Sequence, residues 1–551
     1  MATSPLSQSQ GRLSVPLTFA VVLAAGLFVF TPAIALLLRT AGVSGFLGPL
    51  IGIGLSLGVY TAAVAVSRHW FVGALVALLM TSTYAANVPL IADTSTYPGA
   101  LGPALWVFQA PLLAAVVLAH YRQLWRLDVV LPEVLLFGFV IWTFIVALLG
   151  DAPRPDVAIY FTFFFAQVFV VFALVSRSVR AGIAEFRDIV IVYCITTIGH
   201  VGIAFVQFTT QGPLGLSVLG ETSKRVGTIG VGPIVMRTGT FVSGFAAGGL
   251  NSLIVLTLPL IAVLAWRAQG WRRVTGAVLI AVMLVVQRGT GTDSARGATI
   301  LVGLLFLAGL GWLQWESDRP VVARLRHVRA AGGLLAAATV VLFPASGAGK
   351  SSDPDRGVEP APESTPKPQP DPTTPKATTV PTPETEATET TATPDRLDVS
   401  DATELVDNVS VPFFNLSSLS VRVRQYAGGL DLFARHPLFG IGGGNFMYFA
   451  ESYGLDKPYR IHNLYIALLA ETGIPGLLLY LGTVGTGLIR GAKLVVSRSV
   501  DHTLVFAVCC GLVGLLAAAF WGPFLDRLPR VFPFWAIMGA LVGEAQRVQT
   551  R

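Results

Sequence analysis

The chain has 551 residues, of which 53% are hydrophobic and only 13% charged, and its mean hydropathy is +0.68. A soluble protein of this size needs more charge to cover its surface, so the composition excludes an ordinary soluble globule and points to the membrane class. The net charge of +7 does not indicate nucleic-acid binding, because the basic residues are scattered between apolar runs and form no aromatic-interleaved patch.

The N-terminus is short and polar, with Arg12, and the long apolar run after it contains Pro16 and Pro32. It lacks a small-residue cleavage site and is read as a retained first helix. A bilayer core needs roughly 20 apolar residues per helix. Runs of that kind fall near 15–38, 43–66, 70–91, 101–119, 129–149, 157–176, 188–209, 240–265, 273–288, 296–315, 330–345, 463–489, 502–524 and 531–546. Several are short or broken by Pro and Gly, so the expectation is an all-α, polytopic membrane protein with about 12–14 transmembrane helices. Cys194, Cys509 and Cys510 all lie in apolar segments, which indicates neither a disulfide framework nor a thiolate metal site.

Basic clusters set the expected orientation. With the N-terminus inside, the stretches His120 to Arg126, Arg177 to Arg187, Arg267 to Arg273, Arg319 to Arg329 and Arg490 to Arg498 are cytoplasmic. With the ten Lys and Arg of the one long loop set aside, the positive-inside count favours this topology by 19 to 9. The expected divisions are N-terminal helices at 1–230, central helices at 231–345, an extracytoplasmic loop at 346–461, and C-terminal helices at 462–551.

That loop has two parts. From 351 to 394 it carries 11 prolines with many Thr and Glu, cannot bury a core, and is expected to be extended and disordered. Asn408 and Asn415 open the sequons N-V-S and N-L-S on the same side. From 411 to 461 aromatic and aliphatic residues return, so this part is expected to fold against the membrane domain. Residues 420–435, SVRVRQYAGGLDLFAR, fit a partly amphipathic helix, and HPLFGIGGGNF follows at 436–446. Its glycines suit either a backbone nest for an anion or a structural loop turning back into the membrane.

Several charges break the membrane pattern. Arg237, Arg288, Arg296, Arg424, Arg435, Arg460 and His462 all fall on the outer side, near points of membrane entry. Cations at helix mouths need water, lipid headgroups or a ligand, and the guanidinium fork suits phosphate oxygens such as those of a lipid-linked diphosphate. Snorkelling or a salt bridge, for example Arg296 with Asp293, is the plainer alternative. Asn463 follows His462 at the start of a helix, and Glu471 lies roughly 13 Å further along that helix. An intramembrane carboxylate marks function or architecture, and an arginine of a neighbouring helix is a natural partner.

The stretch 435–482, RHPLFGIGGGNFMYFAESYGLDKPYRIHNLYIALLAETGIPGLLLYLG, resembles the O-antigen ligase and polymerase family of membrane glycosyltransferases. T292-D-S-A-R-G297 is similar to that family's "SRG" segment. R237-T-G-T-F-V-S-G-F-A-A-G-G-L250 is a weaker match, with Ser243 and Gly244 where the family often has Asn-Pro. The resemblance spans roughly residues 230–525, and the insertion at 351–394 is not typical of it.

The resemblance implies transfer of a glycan from a polyprenyl-diphosphate carrier to a hydroxyl-bearing glycan, lipid or protein acceptor at the outer face of the cytoplasmic membrane. It implies no metal, no cofactor and no nucleotide sugar. His462, Arg424, Arg296 and Arg237 are the catalytic residues it implies. Arg288, Arg435, Gly442, Gly443, Gly444 and Asn463 are expected to bind substrate, with Glu471 in support. Membrane lipids are the remaining expected partners. A repeat-unit polymerase of the same family stays open, because no acceptor signature is legible. A transporter predicts inverted repeats with paired broken helices, and no clear repeat is present.

Overall fold

The computed structural model describes residues 70–83, 87–89, 104–106, 108–210, 247–289, 293–315, 416–455, 458–498, 500–522 and 528–551. The expected spans 15–38, 43–66 and 330–345, the segment 351–394, the sequons at Asn408 and Asn415, and Arg237 lie outside them. The described helices are α1 (Trp70–Thr81), α2 (Gln109–Tyr121), α3 (Leu131–Leu149), α4 (Pro155–Arg180), α5 (Phe186–Thr210) and α6 (Ala247–Arg267). They continue with α7 (Trp271–Gly289), α8 (Asp293–Trp315), α9 (Leu416–Arg435), α10 (Leu464–Ser497), α11 (His502–Ala518) and α12 (Leu528–Gln549). Five of these are long and apolar enough to cross a membrane: α3, α4, the Phe186–Phe205 part of α5, the Gly249–Arg267 part of α6, and α10.

Each boundary has a local cause. Pro132 and Pro155 sit in the first turns of α3 and α4, where a missing N–H costs nothing. The expected span 70–91 is shorter than read. α1 stops at Thr81, and the hydroxyls of Thr81, Ser82 and Thr83 donate to the carbonyls of Ala77, Leu79 and Met80. Those bonds satisfy the last turn. Beyond it Asn87–Pro89 pairs antiparallel with Ala104–Trp106, Val88 opposite Leu105. This short ribbon is the one departure from an all-helical structure among the described residues. The span expected at 101–119 accordingly begins as a helix only at Gln109.

The core is organised around α12. Phe532, Phe534, Trp535, Ile537, Met538, Leu541 and Val542 are all fully buried, as expected of a helix apolar on every side. Gly539 and Gly543 turn one face of α12 onto the α4 backbone. A Cβ at Gly539 would stand 2.6 Å from the Phe172 carbonyl oxygen, and one at Gly543 would strike that of Ser176. Small residues four apart are the usual means of bringing membrane helices into such close contact. α3 packs on α4 and α10. Its outward stripe, Leu131, Val134, Phe137, Ile141, Phe144 and Leu148, is exposed at helical spacing and suits contact with lipid.

The bundle has two unlike ends. At one end the Arg177 guanidinium donates to the buried Glu133 carboxylate at 2.9 Å and lies 5.2 Å from the Trp125 ring. Arg267 pairs with Asp501 and Arg490 donates to Gln546 at this same end. The opposite end carries the α3–α4 connection, the segment 436–462 and the turn after α11. The segment around α9 has a small core of its own, formed by Leu432, Ile441, Phe446, Ala450, Leu455, Ile461 and Ala470. Residues 416–455 and 458–461 therefore fold against the helices.

Candidate functional site

α9 is the organising element. It begins at Leu416, four residues before the amphipathic stretch read from sequence, and ends at Arg435 as expected. Two of its faces are committed. Residues 422, 425, 426 and 429 share one face by helical spacing. Gly429 on it abuts Ile461 and Ile466, and Gln425 and Tyr426 meet His462. Residues 424, 428, 431 and 435 share the adjoining face. Gly428 lies under the Tyr453 ring, and Tyr453 donates its hydroxyl to Asp431 at 2.6 Å. Arg424 Nη1 donates to the Gly454 carbonyl at 2.7 Å.

His462 is held from three directions. Its backbone N–H donates to Gln425 Oε1 at 3.0 Å, its ring Nδ1 lies 2.8 Å from the same oxygen, and Nδ1 is 3.1 Å from the Arg460 carbonyl. The Tyr426 hydroxyl donates to the His462 carbonyl at 3.0 Å and to that of Phe520 at 3.1 Å. Burial raises the pKa of this phenol, and the nearby Arg422 guanidinium opposes the rise. It remains a protonated donor at neutral pH. Asn463 caps α10: its side-chain oxygen accepts from the backbone N–H groups of Tyr465 at 2.9 Å and Ile466 at 3.1 Å. Its side-chain oxygen is thus used to start the helix.

The glycine loop is also placed by the helix it faces. α10 is broken at Gly473, whose φ of 67° and ψ of −175° leave helical space. The break frees carbonyls, and these are taken up: Ile441 N–H donates to Ala470 at 2.9 Å and Trp142 Nε1 to Thr472 at 2.8 Å. In return Ile474 N–H donates to Pro437 at 3.0 Å. Glu471 is buried here, and its carboxylate accepts from Gly444 N–H at 2.8 Å and Phe446 N–H at 3.4 Å. The partners in these two contacts are loop amides. Gly443 is pressed against the Phe161 ring, and a Cβ at Gly442 would lie 2.7 Å from that of Ala152. These contacts pack the loop closely against α4 and the turn before it. The Gly444 amide expected to meet an anion is used by Glu471.

The remaining arginines divide. Arg435 pairs with Asp431 at 2.7 Å and stands ten residues after Gln425, roughly 15 Å along α9; the structure does not bring it to His462. Arg296 is half-buried in the first turn of α8. Val302 packs on Gly514 and Phe506 on Gly309, so α8 runs antiparallel to α11. Arg296 therefore lies at the same end as Phe520 and His462. Arg288 closes α7 at this end too, since Gly276 meets Ala265 at the other; its side chain, like that of Asp293, is outside the described residues. Arg422, Gln425 and Trp142 were not singled out by sequence. For the first two the signal existed, because Arg422 stands three residues before Gln425 and four before Tyr426 on one face.

The site thus belongs to a polytopic helical membrane protein in which a folded segment between α8 and α10 holds a histidine against a cationic amphipathic helix. A family model described as O-antigen ligase matches residues 289–481, from the end of α7 through the glycine loop and His462 to the middle of α10. That segment is similar to the O-antigen ligase family, the same family that 292–297 and 435–482 resemble. The match is narrower than the 230–525 of that resemblance and excludes Arg237 and Arg288. No curated protein matches the chain.

Proposed function

We propose that the protein is a glycosyltransferase that moves a glycan from a polyprenyl-diphosphate carrier onto a hydroxyl acceptor at the outer face of the cytoplasmic membrane. The observation that carries this reading is the placement of His462 against α9 within the matched segment, at the end of the bundle that also holds Arg296.

In the proposed reaction His462 takes the proton of the acceptor hydroxyl as its oxygen attacks the anomeric carbon. The bond from that carbon to the diphosphate oxygen breaks, and the polyprenyl diphosphate leaves with the electron pair. One direct displacement inverts the anomeric centre and needs no glycosyl-enzyme. Negative charge grows on the leaving diphosphate, where guanidinium groups stabilise the transition state more than the ground state. Arg424 and Arg296 serve that role in this reading, with Arg237 and Arg288 as further members of the set. Arg422 joins them, because it shares the His462-facing side of α9 while Arg424 already donates to Gly454.

The test is substitution of His462 by Ala and of Arg422, Arg424 and Arg296 singly by Gln, in cells scored for surface glycan. His462→Ala is expected to lower transfer by about 10²-fold or more with normally inserted protein. Unchanged glycan attachment sinks the mechanism. Accumulation of single repeat units in the variants assigns the chain to polymerisation instead of ligation.

A further inference from the structure

We infer that Gln425 is a positioning residue that fixes the tautomer and the orientation of the His462 imidazole. The inference rests on reading His462 as the base of the proposed reaction.

Gln425 is fully buried in the middle of α9. A glutamine amide has an oxygen end and a nitrogen end that are nearly isosteric, and here the choice is settled by chemistry. The His462 backbone N–H, 3.0 Å away, can only donate, so the oxygen of Gln425 must face it. The same oxygen lies 2.8 Å from His462 Nδ1. An acceptor at that distance requires the proton on Nδ1. The Arg460 carbonyl, 3.1 Å from Nδ1, is also an acceptor and makes the same demand. Nε2 is then the nitrogen with the lone pair, and it is the atom able to take a proton from a hydroxyl.

The cost of this arrangement indicates its use. Gln425 Nε2 is buried and has no hydrogen-bond partner among the described residues. An unsatisfied buried amide donor is unfavourable. Every hydrogen bond of this side chain among the described residues goes to His462, so the polar group is retained in an apolar interface for the histidine alone. A leucine or methionine would pack there without that penalty.

Among the described residues, Tyr426 of α9, with Arg422 beside it, and Arg460 in its own segment are titratable or charged groups whose contacts reach His462. All are cations or phenols, so a carboxylate at position 425 would change the ring's titration in a defined direction. Gln425→Glu keeps the acceptor and adds negative charge, which favours the imidazolium. A base must be neutral to act, so the acid limb of the rate profile moves to higher pH.

The experiment uses the full chain in native membranes that contain the endogenous lipid-linked donor, with glycan transfer measured against pH. Gln425→Glu is expected to shift the acid limb upward by about one pH unit or more. Gln425→Met is expected to lower the plateau rate by about 10- to 100-fold at unchanged protein level. An acid limb unmoved in the Glu variant overturns the proposal, whatever the Met variant does. If only the Met variant inserts, a rate within about twofold of wild type overturns it. Failure of both to insert identifies Gln425 as a packing residue and also overturns it. His462→Ala is the separating control. If that variant stays active, the base assignment itself is wrong; if it is inactive while both Gln425 variants behave as wild type, only the positioning role falls.

Discussion

Glu471 illustrates how a single intramembrane charge is accommodated. A buried carboxylate is tolerable when hydrogen bonds replace its lost hydration. Here Gly444 and Phe446 supply backbone N–H groups, charge-assisted contacts that tie the returning loop to α10. Glu471→Ala removes the acceptor and leaves both amides buried, so it is expected to cost roughly 2–4 kcal/mol. Glu471→Gln should fall between, since its amide can accept from one N–H while its NH2 end repels the other. Thermal unfolding of the solubilised protein checks the order wild type, Gln, Ala.

α10 is two helical pieces joined at Gly473. The upper piece carries His462 and Asn463 at its start, the lower one crosses the bundle, and the loop 437–446 is wedged at the joint. A Cβ at Gly473 would strike the Leu438 carbonyl, and the positive φ is strained for any other residue. Gly473→Ala is therefore expected to destabilise the protein by about 2–4 kcal/mol and to displace the loop. Gly485, in the same helix, has nothing within 4 Å of a built Cβ, and Gly485→Ala should leave stability unchanged or slightly raised. Comparing melting temperature and glycan transfer for the two variants separates the joint from a general effect of helix glycines.

For the whole molecule, the two ends predict opposite sides of the membrane. Ser452 is exposed beside the site, and Arg272 is exposed between α6 and α7 at the opposite end. In intact cells, with the buried or half-buried native cysteines Cys194, Cys509 and Cys510 as background, Ser452→Cys should react with a membrane-impermeant maleimide. Arg272→Cys should react only after permeabilisation. The reverse pattern would place the site in the cytoplasm and remove the proposed access to an externally presented lipid-linked glycan.

The membrane class, most of the described helices and the likeness to the O-antigen ligase family were legible in the chain itself. Hydrophobic run length and a contiguous motif are local properties. Arg424 was singled out as a cation near a point of membrane entry, while Arg422 and Gln425 were passed over. Their importance depends on which face of α9 meets α10, and that is decided by packing of Gly429 on Ile461 and Ile466. The glycines 442–444 were visible as a motif, yet sequence left two uses open. Only the structure brings Phe161, Ala152 and Glu471 against them. The break in α10 was hidden because Gly and Pro are common in membrane helices. Whether such a residue interrupts a helix depends on what fills the gap, and here Trp142 and the loop do so from 330 and about 30 residues away.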